Sequence, residues 1–147
     1  MRIKKIRTFA ARNHKNMMTK EQYIDYWIDT SSNDWVTVEA MFTAGRYLHC
    51  LFWAHLALEK LAKALWVKNH VDNIPPKVHN IVWLLEEAQV EIPPDDKIFL
   101  EVFNRFQLST RYPDYLRNIE KICTGDLTIE QLDKVKEIRQ CLLNKLP

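Results

Sequence analysis

Glycine is scarce in this sequence: Gly45 and Gly125 are the only two in 147 residues. Two glycines 80 positions apart cannot form a GxGxxG or a GxxxxGK[ST] motif, so glycine-rich phosphate loops are excluded. Few glycines also indicate few tight turns. No stretch alternates between apolar and polar residues as a half-buried strand would. The composition therefore favours long helices and predicts no sheet.

The sequence also lacks the clustered ligands of a metal site. Its three cysteines, Cys50, Cys123 and Cys141, are far apart and form no C-x-x-C pair, whereas zinc requires several convergent thiolates or imidazoles. His49 and Cys50 cannot supply these, because neighbours on a helix point about 100° apart. The cysteine pattern predicts reduced thiols in a cytoplasmic protein, without a metal or a cofactor.

Long apolar runs are absent too. No segment of about 18 apolar residues is free of charge, and no apolar stretch follows the basic residues of the N-terminus. The sequence therefore predicts neither a membrane span nor a signal peptide, and no membrane partner.

Acidic residues are missing from the first 20 positions, which contain seven Lys or Arg. The other 127 residues contain 14 basic and 19 acidic side chains, a net charge of −5, although the whole chain has +2. We expect residues 1–18 to be a basic leader and residues 19–147 to form one helical domain. The leader is either a flexible extension, with Met17 or Met18 as the true start, or an arm that contacts phosphates.

The longest helical pattern extends from Tyr47 to Asn69 without Gly or Pro. Its apolar stripe recurs at steps of three and four residues and comprises Leu48, Leu51, Phe52, His55, Leu58, Ala62, Leu65 and Trp66. The charged residues of this segment fall mostly off the stripe. Upstream, Thr19 and Gln22 match a capping box, which predicts one helix from Lys20 to Ala44. Because Gly45 would end that helix, the two should form an antiparallel hairpin.

Shorter helices should follow. The Pro75-Pro76 loop precedes a helix that starts at His79 or Asn80 and directs four apolar residues inward: Ile81, Val82, Leu84 and Leu85. After Pro93, Asp95 or Asp96 would cap a fourth helix, whose inward residues would be Ile98, Leu100, Val102, Phe103 and Phe106.

The C-terminal third should contain a short helical piece from Leu116 to Cys123. A turn at Gly125-Asp126 would follow, and then a final helix whose capping box is Thr128 with Gln131. Its buried residues would be Leu132, Val135, Ile138, Leu142 and Leu143. The predicted fold is all-α, an up-and-down bundle of four to five helices.

Three segments in this order resemble the HEPN domain family. They are Ala44–Tyr47 together with His55–Leu65, Pro75–Ile81, and Thr110–Asp114. The resemblance spans about residue 20 to residue 145. It implies a helical bundle that often pairs as a homodimer and acts on nucleotides or RNA. It also implies that some members are toxin ribonucleases encoded beside a small nucleotidyltransferase antitoxin, a possible partner for this chain.

The chain departs from the family's ribonuclease motif, an arginine followed four to six residues later by a histidine near the end of the bundle. His79 is its last histidine, so Arg105, Arg111, Arg117 and Arg139 have none after them. Arg7 and His14 have the spacing, but they lie in the leader, outside the resembling segments. Catalysis by the family mechanism is therefore not predicted, and whether the chain is an enzyme stays open.

Two candidate groups lie in the first two resembling segments. His79 opens a helix, where backbone N–H groups favour anions, so it could contact a phosphate or transfer a proton; alternatively, it caps the helix or fixes the loop. Glu59 and Lys63 are spaced as an i,i+4 pair and are either a solvated ion pair or, with Lys60, one wall of a phosphate-binding cleft. His55 should be a hydrogen-bonded core histidine.

The third segment combines Arg111, a forked phosphate binder, with Tyr112, a ring that can stack on a base, and Asp114, a carboxylate. The alternative is a loop locked by an Arg111–Asp114 pair. The sequence therefore predicts a HEPN-like protein that binds nucleotide or RNA phosphates, a nucleotidyltransferase partner, or both, as in toxin–antitoxin systems. The alternatives are a metal-independent ribonuclease that uses His79 with Arg111 or a lysine, and a purely structural dimerisation module.

Overall fold

The structure, a computed structural model, describes residues 17–108 and 113–147, and within these ranges all regular structure is helical. The segments are α1 (Lys20–Thr43), α2 (Tyr47–Asn69), α3 (Ile81–Glu87), α4 (Pro94–Phe103), α5 (Arg105–Leu108), α6 (Pro113–Ile122) and α7 (Gly125–Asn144). The predicted all-α bundle is confirmed. In the described ranges five helices have ten residues or more, and α3 and α5 are the short ones.

Helix α1 begins at the predicted capping box. The Thr19 hydroxyl accepts a hydrogen bond from the Gln22 amide (3.2 Å), and the Gln22 side chain accepts one from the Thr19 amide (2.8 Å). The weak helix formers at positions 30–33 do not interrupt the helix. Ser31 is buried there, and its hydroxyl donates to the Ala57 carbonyl of α2 (2.7 Å). This polar stretch is therefore a contact between helices, not a bend.

Helices α1 and α2 form the predicted antiparallel hairpin. Gly45 separates them at φ +70°, a conformation that suits glycine. At one end of the hairpin, the Cys50 thiol donates to the Val38 carbonyl (3.4 Å). At the other end, the Lys20 ammonium donates to the Val67 carbonyl (2.7 Å). Contacts at both ends fix the two helices along most of their length.

Helix α2 is the centre of the bundle. The boundaries Tyr47–Asn69 match the prediction, but burial extends around the whole helix and is not confined to one stripe. Helices α1, α3, α5 and α7 all pack against it. For this reason the expectation of a solvated Glu59–Lys63 pair is wrong: the two residues are only 3% and 7% exposed.

Helix α3 begins as predicted, with Asn80 as its cap: the side-chain oxygen accepts a hydrogen bond from the Trp83 amide (3.1 Å). The four residues predicted to point inward, Ile81, Val82, Leu84 and Leu85, are all buried.

Helix α4 differs from its prediction. It starts at Pro94, so Asp95 and Asp96 lie in its first turn and neither caps it. Leu100 is buried, but Ile98 and Val102 are 61% and 55% exposed. These two residues are four positions apart and share the outer face of the helix.

The predicted helix through Phe106 also ends early. Asn104 separates α4 from α5, and Phe103 and Phe106 on either side of it are both buried. Asparagine is a poor residue for a helix interior, which is consistent with a break at this position.

The start of the final helix was predicted wrongly. Its cap is Thr124, whose hydroxyl accepts from the Leu127 amide (3.2 Å), so Gly125 and Asp126 form the first turn of α7. Thr128 is fully buried inside the helix and donates to the Thr124 carbonyl (2.7 Å). Leu132, Val135, Ile138 and Leu142 are buried as predicted, whereas Leu143 is only partly buried.

The predicted piece from Leu116 to Cys123 corresponds to α6, which begins three residues earlier at Pro113. Proline fits the first position of a helix because no hydrogen bond is lost there. In the part of the chain that the structure describes, no helix combines the length and apolar character needed to cross a membrane.

Candidate functional site

The Glu59 carboxylate is the centre of a polar chain that leads from the core to the surface. One of its oxygens, Oε2, accepts a hydrogen bond from the Lys63 ammonium (3.1 Å), and the other, Oε1, accepts one from Nδ1 of His79 (2.9 Å). The side chains of Glu59 and Lys63 are 4% and 9% exposed, whereas that of His79 is 48% exposed. A buried ion pair thus positions a half-exposed imidazole.

Two elements bring these side chains together. Glu59 and Lys63 lie one turn apart on α2, and the double-proline loop returns the chain so that His79 precedes the Asn80 cap of α3. Because Nδ1 faces an ionised carboxylate, it carries the proton of a neutral imidazole. The other ring nitrogen, Nε2, is then left to accept a proton or, when protonated, to donate to an anion.

Lys63 has a second neighbour from α1. Its ammonium lies 5.5 Å from the centre of the Trp27 ring, a cation–π distance. With Glu59 on one side and Trp27 on the other, the ammonium is mostly withdrawn from solvent. Lys63 therefore serves to position Glu59, because its ammonium is not free to bind a ligand.

Lys60 points to a different partner. Its ammonium is 2.7 Å from the Asp34 carboxylate of α1, and the two side chains are 20% and 9% exposed. Sequence reasoning missed Asp34, because nothing in the pattern of α1 distinguishes it from an exposed acid. The structure thus brings Glu59, Lys63 and His79 together and pairs Lys60 separately.

His55 is the buried core histidine that the sequence predicted. It is 1% exposed, its Nε2 lies 3.0 Å from the Asn104 side-chain oxygen, and its ring stacks against Phe103. Burial lowers the pKa of His55, against the opposing effects of the Asn104 hydrogen bond and the Glu59 charge. The electrostatic interaction with His79 also lowers the pKa of His55. The ring is therefore held neutral beside the polar chain.

Asn104 is a second residue that sequence reasoning missed. Its amide nitrogen donates to the Asn80 side-chain oxygen (3.1 Å), so it connects His55 to the cap of α3. Its poor helix propensity within an apolar pattern was the one signal that could have identified it.

The third predicted group is only partly described. Arg111 and Tyr112 lie outside the described residues, and Asp114 is exposed in the first turn of α6. A carboxylate at that position interacts favourably with the helix dipole.

The remaining candidate groups are the possible metal ligands and the buried thiol of Cys50. No group of three or more His, Cys, Asp or Glu residues converges to hold a metal within residues 17–108 and 113–147. Burial raises the pKa of the Cys50 thiol to about 11, although Lys136 acts in the opposite sense. That thiol is therefore a packed core group and not a nucleophile.

Comparison with known proteins gives one family and one solved structure. A family model described as the HEPN domain matches residues 24–146. The crystal structure of TT1696 from Thermus thermophilus is similar over 84% of this chain and 98% of that chain, with a TM-score of 0.69 and 23% sequence identity. At this identity the likeness concerns the fold alone. No curated protein matches the chain.

Proposed function

Because this chain belongs to the HEPN domain family, we propose that it binds nucleotide or RNA phosphates at the surface formed by His79. Family membership supports the ligand class, and the polar chain supports the location. The chain's departure from the family's arginine–histidine motif supports binding in preference to efficient catalysis.

The observation on which this proposal depends is the hydrogen bond from His79 Nδ1 to the buried Glu59 carboxylate. This bond fixes the ring, so that Nε2 can approach a ligand without a large loss of side-chain entropy. A protonated imidazole donates a charge-assisted hydrogen bond to a phosphate oxygen. Lys77, two residues earlier and exposed, adds a positive charge to the same loop.

The other predicted residues enter the proposal with different roles. Glu59 and Lys63 position His79. Arg111 would form forked hydrogen bonds to a phosphate, Tyr112 would stack on a base, and Asp114 would orient Arg111. Lys60 would contribute through its charge, which Asp34 already neutralises in part.

Calorimetric titration of ATP, GTP and a short single-stranded RNA tests the binding surface. Loss of one charge-assisted hydrogen bond costs about 1.5–3 kcal/mol, so His79→Gln should weaken binding by about ten- to a hundredfold. His49→Gln is the matched control, because His49 is an exposed histidine in the first turn of α2, ten residues before Glu59. Equal affinities of wild type and His79→Gln would contradict the proposal.

Ribonuclease activity is the second candidate function, and one observation favours it. A histidine whose Nδ1 faces a carboxylate has the arrangement of a general base. Labelled tRNA and mRNA incubated with the protein in EDTA should stay intact if the chain only binds. Cleavage that His79→Gln abolishes would instead establish the enzyme.

Partners form the last part of the proposal. HEPN domains often form dimers, and we propose that this chain forms a homodimer and binds a small nucleotidyltransferase, as in toxin–antitoxin systems. Light scattering after size exclusion should give twice the 17.5 kDa mass of the chain. Co-purification with a nucleotidyltransferase encoded by the neighbouring gene tests the second partner. A monomer that binds neither nucleotide nor RNA would exclude both this proposal and a structural dimerisation module.

A further inference from the structure

Asn104 is a polar residue in apolar surroundings. It lies between α4 and α5, and Phe103 and Phe106 on either side of it are buried. An apolar residue at this position could continue both the helix and the core. The Asn104 side chain instead forms hydrogen bonds through both ends of its amide, so its role follows from these bonds.

The two ends of the Asn104 amide contact two different parts of the fold. Its oxygen lies 3.0 Å from Nε2 of His55 on α2 and 3.5 Å from the Ile81 amide nitrogen, so both of these groups donate to it. Its nitrogen donates to the Asn80 side-chain oxygen (3.1 Å), which also accepts a hydrogen bond from the Trp83 amide. The bonds therefore fix the orientation of both side-chain amides.

Residues 79 and 80 are thereby connected to α2 at two points. The first connection is the hydrogen bond from the His79 ring to Glu59 (2.9 Å). The second runs from His55 through Asn104 to Asn80. On α2, His55 and Glu59 lie about one turn apart. The first connection holds the His79 ring, and the second holds the backbone next to it.

The second connection matters because a loop carries His79. Residues 70–80 contain no regular secondary structure, and among them only Pro75 is buried. The start of this loop is held by Lys20, whose ammonium donates to the His70 carbonyl (2.6 Å). Surface loops move more than the helices that they connect. A single side-chain bond at the end of the loop would therefore leave the backbone of His79 able to shift.

We propose that Asn104 is a positioning residue for the phosphate-binding surface, because it holds Asn80 and thereby the adjacent backbone of His79. This inference rests on the function proposed above. A ring that is already ordered loses less side-chain entropy when a ligand binds. Loss of Asn104 should therefore weaken binding although Glu59, Lys63 and His79 are all still present.

The ring signals of His79 test this inference in the free, full-length protein. Two-bond ¹H–¹⁵N spectra distinguish the two tautomers of a neutral imidazole, and the signal lost in His79→Gln identifies His79 among the five histidines. Wild type should show mainly the form protonated at Nδ1, since Nδ1 faces Glu59. Asn104→Leu, of similar size but without polar atoms, should shift this signal towards the tautomer mixture of an unrestrained histidine. A His79 signal that Asn104→Leu leaves unchanged would overturn the inference.

Two further variants separate positioning from stability. Asn69→Leu is the matched control, because the Asn69 side chain also donates to another helix, at the Ala88 carbonyl beyond the far end of α3 (2.8 Å). It should leave the His79 signal in place. Asn80→Ser keeps a good helix cap but is too short to reach Asn104. It should therefore act like Asn104→Leu, and it decides the question if Asn104→Leu does not fold.

Calorimetric titration of ATP and a short single-stranded RNA separates this inference from the proposed function. Asn104→Leu and Asn80→Ser should each weaken binding by about three- to tenfold, and the double variant should lose no more than Asn104→Leu alone, because both changes break the same connection. If His79→Gln weakens binding but these variants do not, the inference fails and the proposed function stands. If His79→Gln has no effect, both fail.

Discussion

Replacing Glu59 with glutamine should destabilise the fold more than any change at an exposed ion pair. Glutamine has nearly the same shape and can still accept the hydrogen bond from His79, but it has no charge. The Lys63 ammonium would then be left without its carboxylate, although its side chain is only 9% exposed. The perturbation thus isolates the electrostatic role of Glu59 from its packing.

The expected loss follows from the burial of the pair. Removing one partner of a buried ion pair costs about 3–5 kcal/mol, because the remaining charge is uncompensated. The Trp27 ring still faces the ammonium, so the lower end, about 3 kcal/mol, is expected. Native proteins are stable by only about 5–15 kcal/mol. At about 2–4 °C per kcal/mol for a chain of this size, the melting temperature should fall by about 6–12 °C.

A double-mutant cycle in urea is the appropriate assay. Lys63→Met leaves Glu59 buried with His79 as its remaining partner, so it should also be destabilising. Because the double variant Glu59→Gln/Lys63→Met removes both charges, it should lose less stability than the two single variants combined, by about 2 kcal/mol. Glu86→Gln with Lys97→Met is the matched control, since that pair is 57% and 47% exposed and should show little or no coupling. Single effects that add within about 0.5 kcal/mol would refute this account of the pair.

Three smaller predictions concern stability. Because burial lowers the pKa of His55 in the folded state, the unfolded chain binds more protons at this residue than the folded protein does below about pH 6.5. The free energy of unfolding should therefore decrease as the pH falls below that value, by at most about 1.4 kcal/mol per pH unit. The urea midpoints of wild type and His55→Gln should converge towards low pH, and parallel curves would contradict this. Gly45→Ala should cost about 1–2 kcal/mol in thermal unfolding, because alanine is strained at φ +70°, and an unchanged melting temperature would show that the turn relaxes. Thr124→Ala should cost about 1 kcal/mol through loss of the α7 cap, and Thr124→Ser should not.

Local signals in the sequence predicted a helix boundary well where that boundary depends on neighbouring residues alone. The capping box at Thr19, the glycine after α1 and the apolar period of α2 each determine a boundary without help from distant residues. At the start of α7, the sequence pattern indicated Thr128 as the cap, whereas the structure has Thr124 in that position. Thr124 has extended backbone geometry and accepts from the Leu127 amide, whereas Thr128 returns its hydroxyl to the helix backbone. A pattern of residue types does not separate these two cases.

The polar contacts were harder to predict, because they depend on how many neighbours surround α2. The apolar period of a sequence predicts that a charged residue off the apolar stripe is exposed. This prediction is valid only if one side of the helix faces solvent. Here helices pack on several sides of α2, so Glu59 and Lys63 are buried. Lys60 forms an ion pair with Asp34 on α1. The sequence did not predict that His79 bonds to Glu59, because this contact depends on the geometry of the loop between α2 and α3.

The position of Glu59 also determines how its function has to be tested. Its two oxygens serve different purposes, since one pairs with the Lys63 ammonium and the other orients the His79 ring. A variant of Glu59 therefore changes the stability of the fold and the proposed ligand surface at the same time. If such a variant lost binding, the loss could not be assigned to either of these two effects. His79 differs in this respect: its side chain is half-exposed and its partner Glu59 keeps Lys63 when His79 is replaced. Replacing His79 should therefore leave the melting temperature nearly unchanged, and only a loss of binding at that preserved stability assigns the surface.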